Sequence, residues 1–424
     1  MGCTKTCGSD FVTVSSKLLT TVRLLVFFVL IAVVVPAHAT NEALLELFKI
    51  LRAKGSLTQQ EYELLLEVAE ADGGVTAAGN RGVDQHVDER FATVERDTHT
   101  TAWTQKIKIK GDLRTRYQYQ NEDGKTDRSR GRIRYRLGMI ARPSDGWEVG
   151  AGLASGGDDQ RSTNQSFDET FSTKDINLDY AYLQYTFDQG FKAVAGKFPR
   201  REYLWAPTDV MWDSDINPEG FSLNYSAPNA WGRIFANTGI WVLEEEAGSS
   251  DDPYMVYGQL GQGWQTTSWF GTVAGAIYSF SDIDFIADIT KSAGTNTGSQ
   301  LGSFNLAAEI GAGTDGRKAW LVGEFINNYE TDSSDDVAWA LGARFSWDKW
   351  GFKYLYADVE ANSVPDFLPD SNRFDGLTGI RGHELEVTYA LMKNVKLGLD
   401  FYIVEDIATD VDQEVLQADL TVKF

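Results

Sequence analysis

The chain has 424 residues, with 61 acidic and 39 basic side chains and a formal net charge of −22 at neutral pH. A surface this acidic repels the phosphate backbone of nucleic acids, so we expect no nucleic-acid partner. The only cysteines, Cys3 and Cys7, lie near the N-terminus, so the rest of the chain has no disulfide and no cysteine-ligated metal.

Residues 1–39 have the order of a secretory signal peptide. Lys17 and Arg23 precede an apolar run at 24–35, and Ala-His-Ala at 37–39 provides small residues for cleavage. This run is too short to cross a bilayer as a helix, which argues against the alternative of a retained membrane anchor. Cleavage would remove three basic residues and one acidic residue, so the net charge would change from −22 to −24.

Residues 40–103 differ in pattern from the rest of the chain. Apolar side chains recur at helical spacing at 44–51 and again at 62–69, with a capping box (Thr-Gln-Gln-Glu, 58–61) before the second run. The pattern predicts a short periplasmic helical hairpin at 41–71, followed by a linker. Two short helices cannot bury a core alone, so we expect the hairpin to self-associate or to dock on a partner.

From about residue 105 onward, apolar and polar side chains alternate in segments of roughly ten residues. Repetition of this two-residue period predicts a transmembrane β-barrel, with the apolar parity facing lipid and the polar parity facing a lumen. The fold class is therefore all-β, an antiparallel barrel at 104–424 of about sixteen strands, and the apolar stretch at 283–289 could add or shift a strand. The sixteen segments lie at about 105–120, 130–142, 146–155, 175–188, 191–198, 219–226, 231–244, 253–263, 267–280, 301–312, 317–329, 336–347, 350–361, 381–391, 393–405 and 412–424.

The connections between these segments alternate between short and long. Short ones such as 143–146 and 347–350 contrast with long ones such as 156–174, 199–218 and 362–380. Short periplasmic turns and long outer loops are typical of bacterial outer-membrane barrels. With the N-terminus on the periplasmic side, 199–218 is the third outer loop.

A row of arginines marks the second segment. Residues 104–142 contain twelve basic and only four acidic side chains, and five of the basic ones alternate along the strand. This parity should point into the lumen, because charged side chains on the lipid face of a barrel are costly. The alternative is that each charge only solvates the lumen or pairs with a neighbour. The row consists of Arg128, Arg130, Arg132, Arg134 and Arg136.

Acidic side chains occupy the polar parity of other strands and predict an acidic wall of the lumen. Opposite a positive wall, they would set up a transverse field that orients dipolar solutes and biases the passage of ions. The acidic wall consists of Asp179, Glu309, Glu324, Glu384, Glu386 and Asp400.

Several stretches together resemble the family of putative porins of Gram-negative bacteria. They are Lys-Gly-Ser-Leu-Thr at 54–58, Gly-Lys-Phe-Pro at 196–199, Trp-Asp-Ser-Asp-Ile-Asn-Pro-Glu-Gly at 212–220 and the terminal Phe424. The resemblance implies an outer-membrane porin with a helical N-terminal segment, assembled as a homotrimer in outer-membrane lipid, but it implies no particular solute. A last strand that ends in Phe424 also resembles the insertion signal that the outer-membrane assembly machinery reads.

The third outer loop carries several acids. In general porins this loop folds into the barrel and narrows it, so the resemblance implies an inward loop here. Asp209, Asp213 and Asp215 would then face the arginine row and complete a pore constriction. Residues 213–217 also begin like a calcium-binding loop, but Pro218 stands where such a loop needs glycine, so we expect no metal.

Residues that could support catalysis are few. Beyond residue 40 the histidines are His86, His99 and His383, and no spacing of serine, histidine and carboxylate predicts a catalytic site. We therefore expect neither enzymatic activity nor a cofactor.

Together these patterns predict an outer-membrane porin that admits small hydrophilic solutes or ions by passive diffusion through a lumen narrowed by the third loop. Two alternatives stay open. One is a non-conducting outer-membrane barrel that binds a partner or anchors the envelope. The other is a secreted soluble β-protein, which would need no detergent.

Overall fold

The computed structural model describes Arg52 and most of the chain from residue 106 onward. The predicted signal peptide at 1–39, the remainder of the predicted hairpin and linker at 40–103, and the possible strand at 283–289 lie outside the described residues. Residues 101–424 form one compact unit. Within it the described ranges are 106–245, 252–281, 293–297, 300–314 and 316–424.

Seventeen β-strands of the described residues form one antiparallel sheet. In chain order they are β1 (Ile107–Glu122), β2 (Arg128–Ala141), β3 (Trp147–Ser155), β4 (Gln165–Ser166), β5 (Ile176–Thr186), β6 (Phe191–Lys197), β7 (Glu219–Asn229), β8 (Gly232–Val242), β9 (Tyr254–Gln265), β10 (Trp269–Ser281), β11 (Gly302–Thr314), β12 (Arg317–Asn328), β13 (Val337–Trp347), β14 (Trp350–Val359), β15 (Ile380–Met392), β16 (Val395–Asp406) and β17 (Val411–Lys423).

The sheet closes on itself. β1 pairs with β2 on one side and with β17 on the other, in a register that runs from Asp112 opposite Lys423 to Glu122 opposite Gln413. The two-residue β4 pairs with β2, while β3 pairs directly with β5, so the closed ring has sixteen members. The predicted barrel of about sixteen strands is therefore confirmed, and β4 is the one strand that the sequence pattern did not predict.

Alternation along each strand separates an inner from an outer face. On β17 the inward-facing Gln413 and Gln417 are each 1% exposed, whereas the outward-facing Leu420 and Val422 are 41% and 36% exposed. Leu416 shares the outward parity but is only 7% exposed. Large exposed apolar side chains occur on all sixteen ring strands. So continuous an apolar surface is rare on water-soluble monomers and matches the lipid face of a barrel.

The turns and loops lie at opposite ends of the barrel, as their lengths predicted. The start of β1, the end of β17 and the short turns share one end, where Asp348 and Asn394 take the positive φ angles (51° and 64°) that tight hairpins favour. No helix among the described residues is long and apolar enough to span a membrane. Exposed aromatic side chains at the turn end include Trp147, Phe187, Trp231, Trp269, Trp347, Trp350 and Phe424.

Three of the long connections enter the barrel interior. When the connections at the loop end are numbered in chain order, these three are loop 2 (156–175, which contains β4), loop 3 (198–218) and loop 7 (360–379). Met211 and Trp212 of loop 3 join Phe367 of loop 7 in a buried apolar cluster with inward-facing side chains of the strands. The loops therefore fill part of the interior.

Candidate pore-lining site

Loop 3 crosses the inside of the barrel. The backbone of Trp205 donates to and accepts from the side-chain amide of Gln259 on β9 (2.9 and 2.8 Å), and Arg344 on β13 donates to the carbonyl of Pro207 (2.6 Å). Loop 3 joins β6 to β7, and β13 lies six strands farther around the ring of sixteen than β7, so the loop reaches across the lumen. Further hydrogen bonds join Tyr203 to Gln184 on β5 and Thr208 to Glu324 on β12.

Loop 7 holds loop 3 in this position. The amide of Asp213 donates to the carbonyl of Leu368 (2.8 Å), and the amide of Ser371 donates to the Asp213 carboxylate (3.1 Å). The amide of Asp370 donates to the carbonyl of Asp209 (3.2 Å). Asp213 therefore bonds to loop 7 and not to the arginine row, contrary to the prediction.

Loop 2 joins the same assembly. The guanidinium of Arg161, 8% exposed, donates to the carbonyls of Asp366 and Gly376 in loop 7, each at 3.1 Å. The carbonyl of Arg161 in turn accepts from the Ser371 hydroxyl (3.1 Å). These contacts join residues 205 and more positions apart in sequence. No local sequence pattern signals such contacts, so they could not be predicted from the sequence.

The arginine row lines the inner face of β2, and its members have different partners. Arg134 and Arg136 share the carboxylate of Asp112 on β1 at 2.9 and 2.8 Å. Arg132 donates to the Gln118 side chain (3.1 Å). Arg128 and Arg130 lie nearer the loop end, where the described acids of loop 3 form no bond with them.

One predicted contact between the loop and the row is present. Asp215 of loop 3 lies 3.4 Å from Arg136 and also accepts from the backbone and hydroxyl of Thr163 (3.2 and 2.9 Å). Burial favours the neutral form of the Asp215 carboxyl, but the charges of Arg134 and Arg136 outweigh it and lower the pKa below the ordinary value. Asp215 is therefore held as an anion against the row.

Asp209, the remaining acid of loop 3 that was predicted to face the arginine row, instead faces a cluster of two cations and one glutamate. It lies 3.3 Å from Arg373 of loop 7 and 3.9 Å from Lys353 on β14, and both cations also bind Glu384 on β15 (2.9 and 2.5 Å). Burial raises the pKa of the Asp209 carboxyl, but the charges of Lys353 and Arg373 outweigh it and lower the pKa overall. This buried four-residue cluster was not anticipated from the sequence.

Two other loop acids have raised pKa values. Burial, followed by the charges of Asp370 and Asp215, raises the pKa of Asp213 well above its ordinary value. Burial, followed by the charge of Asp209, raises the pKa of Asp370 to about 6, although Arg373 acts in the opposite direction. The packed loops therefore hold carboxyls of two kinds, those stabilised as anions and those that favour the proton.

A second pair of cations, Arg114 and Arg116 on β1, lies directly opposite Arg134 and Arg132 of the row. Arg116 on β1 binds Asp419 on β17 through two hydrogen bonds of 2.7 Å each, and Arg114 lies 3.5 Å from the same carboxylate. Arg116 and Asp419 are 303 positions apart in sequence. The pairing of β1 with β17 alone brings them together, so no local motif could reveal Asp419.

The acids of the predicted acidic wall are spread around the ring, and only two of them lie opposite the arginine row. Asp179 on β5 lies two strands beyond β2, and Asp400 on β16 lies two strands before β1. Glu309 on β11 and Glu324 on β12 lie across the ring. The two remaining members, Glu384 and Glu386, are on β15.

Three cavities lie in the barrel interior, and the first of them shares lining residues with each of the other two. The turn-side cavity, about 600 Å³, is lined by Lys110, Asp112 and Lys423 among others. The central cavity, about 580 Å³, is lined by Arg114, Lys353 and Asp400 among others. The loop-side cavity, about 490 Å³, adjoins loop 2. The residues that line both the turn-side and the loop-side cavity are Thr163, Asp179, Asp215 and Asn217.

No group of three or more histidine, cysteine or acidic side chains among the described residues is arranged to hold a metal ion. His383 is on the outward face of β15, where its Nδ1 lies 2.9 Å from the Tyr354 hydroxyl. Phe424 exchanges backbone hydrogen bonds with Gly111 (2.8 and 3.0 Å), and its ring lies so close that a Cβ at that glycine would meet it at 2.5 Å.

Comparison with known proteins yields a family match and a fold match. Residues 118–305 match the model of the family described as "Putative porin", which confirms the resemblance seen in the sequence. The high-pH structure of Pseudomonas putida OprB is 12% identical, with a TM-score of 0.54, over 78% of this chain and 97% of that one. This likeness shows a shared fold.

Two further solved structures are similar at lower scores. Salmonella typhi OmpF in complex with daunomycin is 9% identical (TM-score 0.49) over 75% of this chain and 97% of that one. A variant of Rhodopseudomonas blastica porin is 11% identical (TM-score 0.45) over 75% of this chain and 100% of that one. No curated protein matches the chain.

Proposed function

From the family match at 118–305, we propose that the chain is an outer-membrane porin through which small hydrophilic solutes or ions diffuse passively. The observation that carries this proposal is a closed ring of sixteen strands, apolar on the outside, that encloses cavities lined by charged side chains. Barrels of this size leave room for an aqueous channel. The exposed aromatic side chains at the turn end are typical of a membrane interface and favour insertion in a bilayer.

Three further features belong to the same proposal. The short turns and the N-terminal segment face the periplasm, as the lengths of the connections suggest. The barrel is delivered by the outer-membrane assembly machinery, with Phe424 as part of the insertion signal. It works as a homotrimer in outer-membrane lipid, as the family resemblance implies.

We place the constriction where Asp215 of loop 3 meets Arg136 of the row. Support comes from their 3.4 Å contact and from the position of Asp215 and Asp179 between the turn-side and loop-side cavities. Fixed charges at the narrowest point of a pore decide which ions pass. Arg128, Arg130 and Asp209 then act as lumen charges outside the narrowest point.

The test is ion conductance in a planar bilayer. The full-length protein should form open channels, and the reversal potential under a salt gradient should shift toward cations in Arg136→Gln and toward anions in Asp215→Asn. Arg317→Gln removes an exposed arginine at the turn between β11 and β12 and should leave the reversal potential unchanged. Open channels with the same reversal potential in all three variants would place the constriction elsewhere.

A second candidate function is a non-conducting barrel that anchors the envelope or binds a partner. The observation in its favour is the extent to which loops 3 and 7 fill the interior. Absence of any channel from correctly folded protein would reject the porin and support this alternative.

A further inference from the structure

The turn-side and central cavities adjoin at a group of side chains that contains no acid. Six residues line both cavities, and five of them are cationic. The five cations come from three separate elements, namely β2, the start of loop 3 and the end of β17. The six residues are Arg134, Arg136, Arg200, Arg201, Ser214 and Lys423.

Arg200 has unused hydrogen-bonding capacity in this group. The side chain is only 3% exposed, and its Nε and Nη1 have no hydrogen-bond partner among the described residues. Its Nη2 makes only long contacts with the carbonyls of Trp212 and Asp213 (3.4 and 3.3 Å). The Nε and Nη1 donors are shielded from solvent, and the guanidinium lies over the Trp212 ring at 5.6 Å from its centroid, so Arg200 contributes mainly its positive charge to the group.

The neighbours leave positive charge unbalanced. Arg201 is exposed and forms no ion pair among the described residues, and the same holds for Lys423. Arg134 and Arg136 share one carboxylate, that of Asp112, and Asp215 contacts Arg136 alone within this group. Burial, followed by the charge of Arg201, lowers the pKa of Arg200 to about 10, so the side chain stays cationic at neutral pH.

We propose that the junction of the two cavities is a binding site for a polyvalent oxyanion, a solute with phosphate or paired carboxylate groups. The inference rests on the proposed channel function and gives it a substrate class. Planar guanidinium groups bind the oxygens of carboxylate and phosphate in pairs, which chloride cannot match. Five cations from three elements form a concave cluster in which a multiply charged solute gains more than a single charge does.

The charges that line the loop-side cavity predict from which end of the barrel an oxyanion enters more easily. It is lined by five aspartates and one lysine, whereas the turn-side cavity is lined by six cations and three acids. An oxyanion therefore meets repulsion on entry from the loop end and attraction on entry from the turn end. The aspartates are Asp158, Asp159, Asp175, Asp179 and Asp215.

The test measures block of the chloride current by inorganic phosphate and, separately, by succinate. Channels of the full-length protein in potassium chloride should lose current as either anion is added, with stronger block from the turn side. Arg201→Gln should raise the half-blocking concentration at least about tenfold, which corresponds to 1.4 kcal/mol of lost binding free energy. Arg200→Gln should do the same if loop 3 stays folded.

Several outcomes are decisive. Arg317→Gln serves as the matched control and should keep the half-blocking concentration of the unmodified channel. Block by phosphate alone would identify a phosphate site, and block by succinate alone a dicarboxylate site. Open channels that neither anion blocks, or block that Arg201→Gln leaves unchanged, would overturn the oxyanion site while the porin function stands. Absence of channels would instead reject the porin function.

Discussion

At the scale of single residues, the buried loop carboxyls show how surroundings decide protonation. Asp209 and Asp215 each lie beside two cations, which lower their pKa values despite burial. Asp370 lies beside Asp209, and its pKa is raised to about 6. Residue type and sequence position alone cannot separate these cases, because the deciding neighbours lie on other strands and loops.

The raised pKa of Asp370 predicts that the packing of loop 7 depends on pH. Its folded pKa of about 6 lies above the ordinary value of 3.8, so the folded state holds the proton more tightly than the unfolded state. The resulting stability is present below about pH 4 and is lost as pH rises through 6. Between pH 5 and 8, amide protection in 366–376 should therefore fall as pH rises, once intrinsic exchange rates are corrected for. A shift of about two pKa units corresponds to at most about 3 kcal/mol.

Asp370→Asn checks the cause of this dependence. The amide stays neutral at every pH, so protection at pH 8 should rise toward the level that the unmodified protein has at pH 5. A residual slope is expected from Asp213, whose pKa is also raised. Asp168→Asn, at an exposed ion pair with Lys174 in loop 2, is the control and should keep the full slope. A variant with an unaltered slope would exclude Asp370 as the titrating group.

At the scale of elements, strands and loops differ in how far the sequence reveals them. A two-residue period is visible along the strands, because neighbouring side chains point alternately to the apolar outer surface and to the barrel interior. All sixteen ring strands begin and end within three residues of the predicted bounds. The short β4 has no period to detect. Contacts among loops 2, 3 and 7 depend on irregular backbone, so they were not predictable, and neither was the position of Asp209 and Asp213 away from the arginine row.

Arg161 tests the connection between loops 2 and 7. Arg161→Ala removes the two guanidinium hydrogen bonds to the carbonyls of Asp366 and Gly376, at a cost of about 1–3 kcal/mol. Loop 7 should then be cleaved faster by protease within 360–379, and the open-channel current should become noisier.

Arg381→Ala is the matched control. It breaks a solvent-exposed ion pair with Glu405 on the neighbouring β16, and such pairs contribute little to stability. Equal cleavage rates in Arg161→Ala and the unmodified protein would mean that the other contacts of loop 7, such as those with loop 3, hold it without help from loop 2.

At the scale of the whole molecule, the phase of the strands predicts where charge is tolerated. Leu385, at the middle of β15, is 45% exposed on the outer face, and Thr388 on the same strand lines the central cavity. Leu385→Arg should lower the free energy of unfolding in lipid by about 2–4 kcal/mol, whereas Thr388→Arg should cost far less. Urea unfolding in vesicles measures both. Equal losses would contradict a lipid-facing outer surface.

The pairing of β1 with β17 constrains how the molecule can be made. Until the last strand has been synthesised, β1 has one partner, and every incomplete chain has two unpaired strand edges. Lipid offers no hydrogen bonds to such edges, and in water they invite aggregation. A sheet that lacks its last strand therefore keeps both edges unpaired, and the pairing of β1 with β17 satisfies both edges in one step.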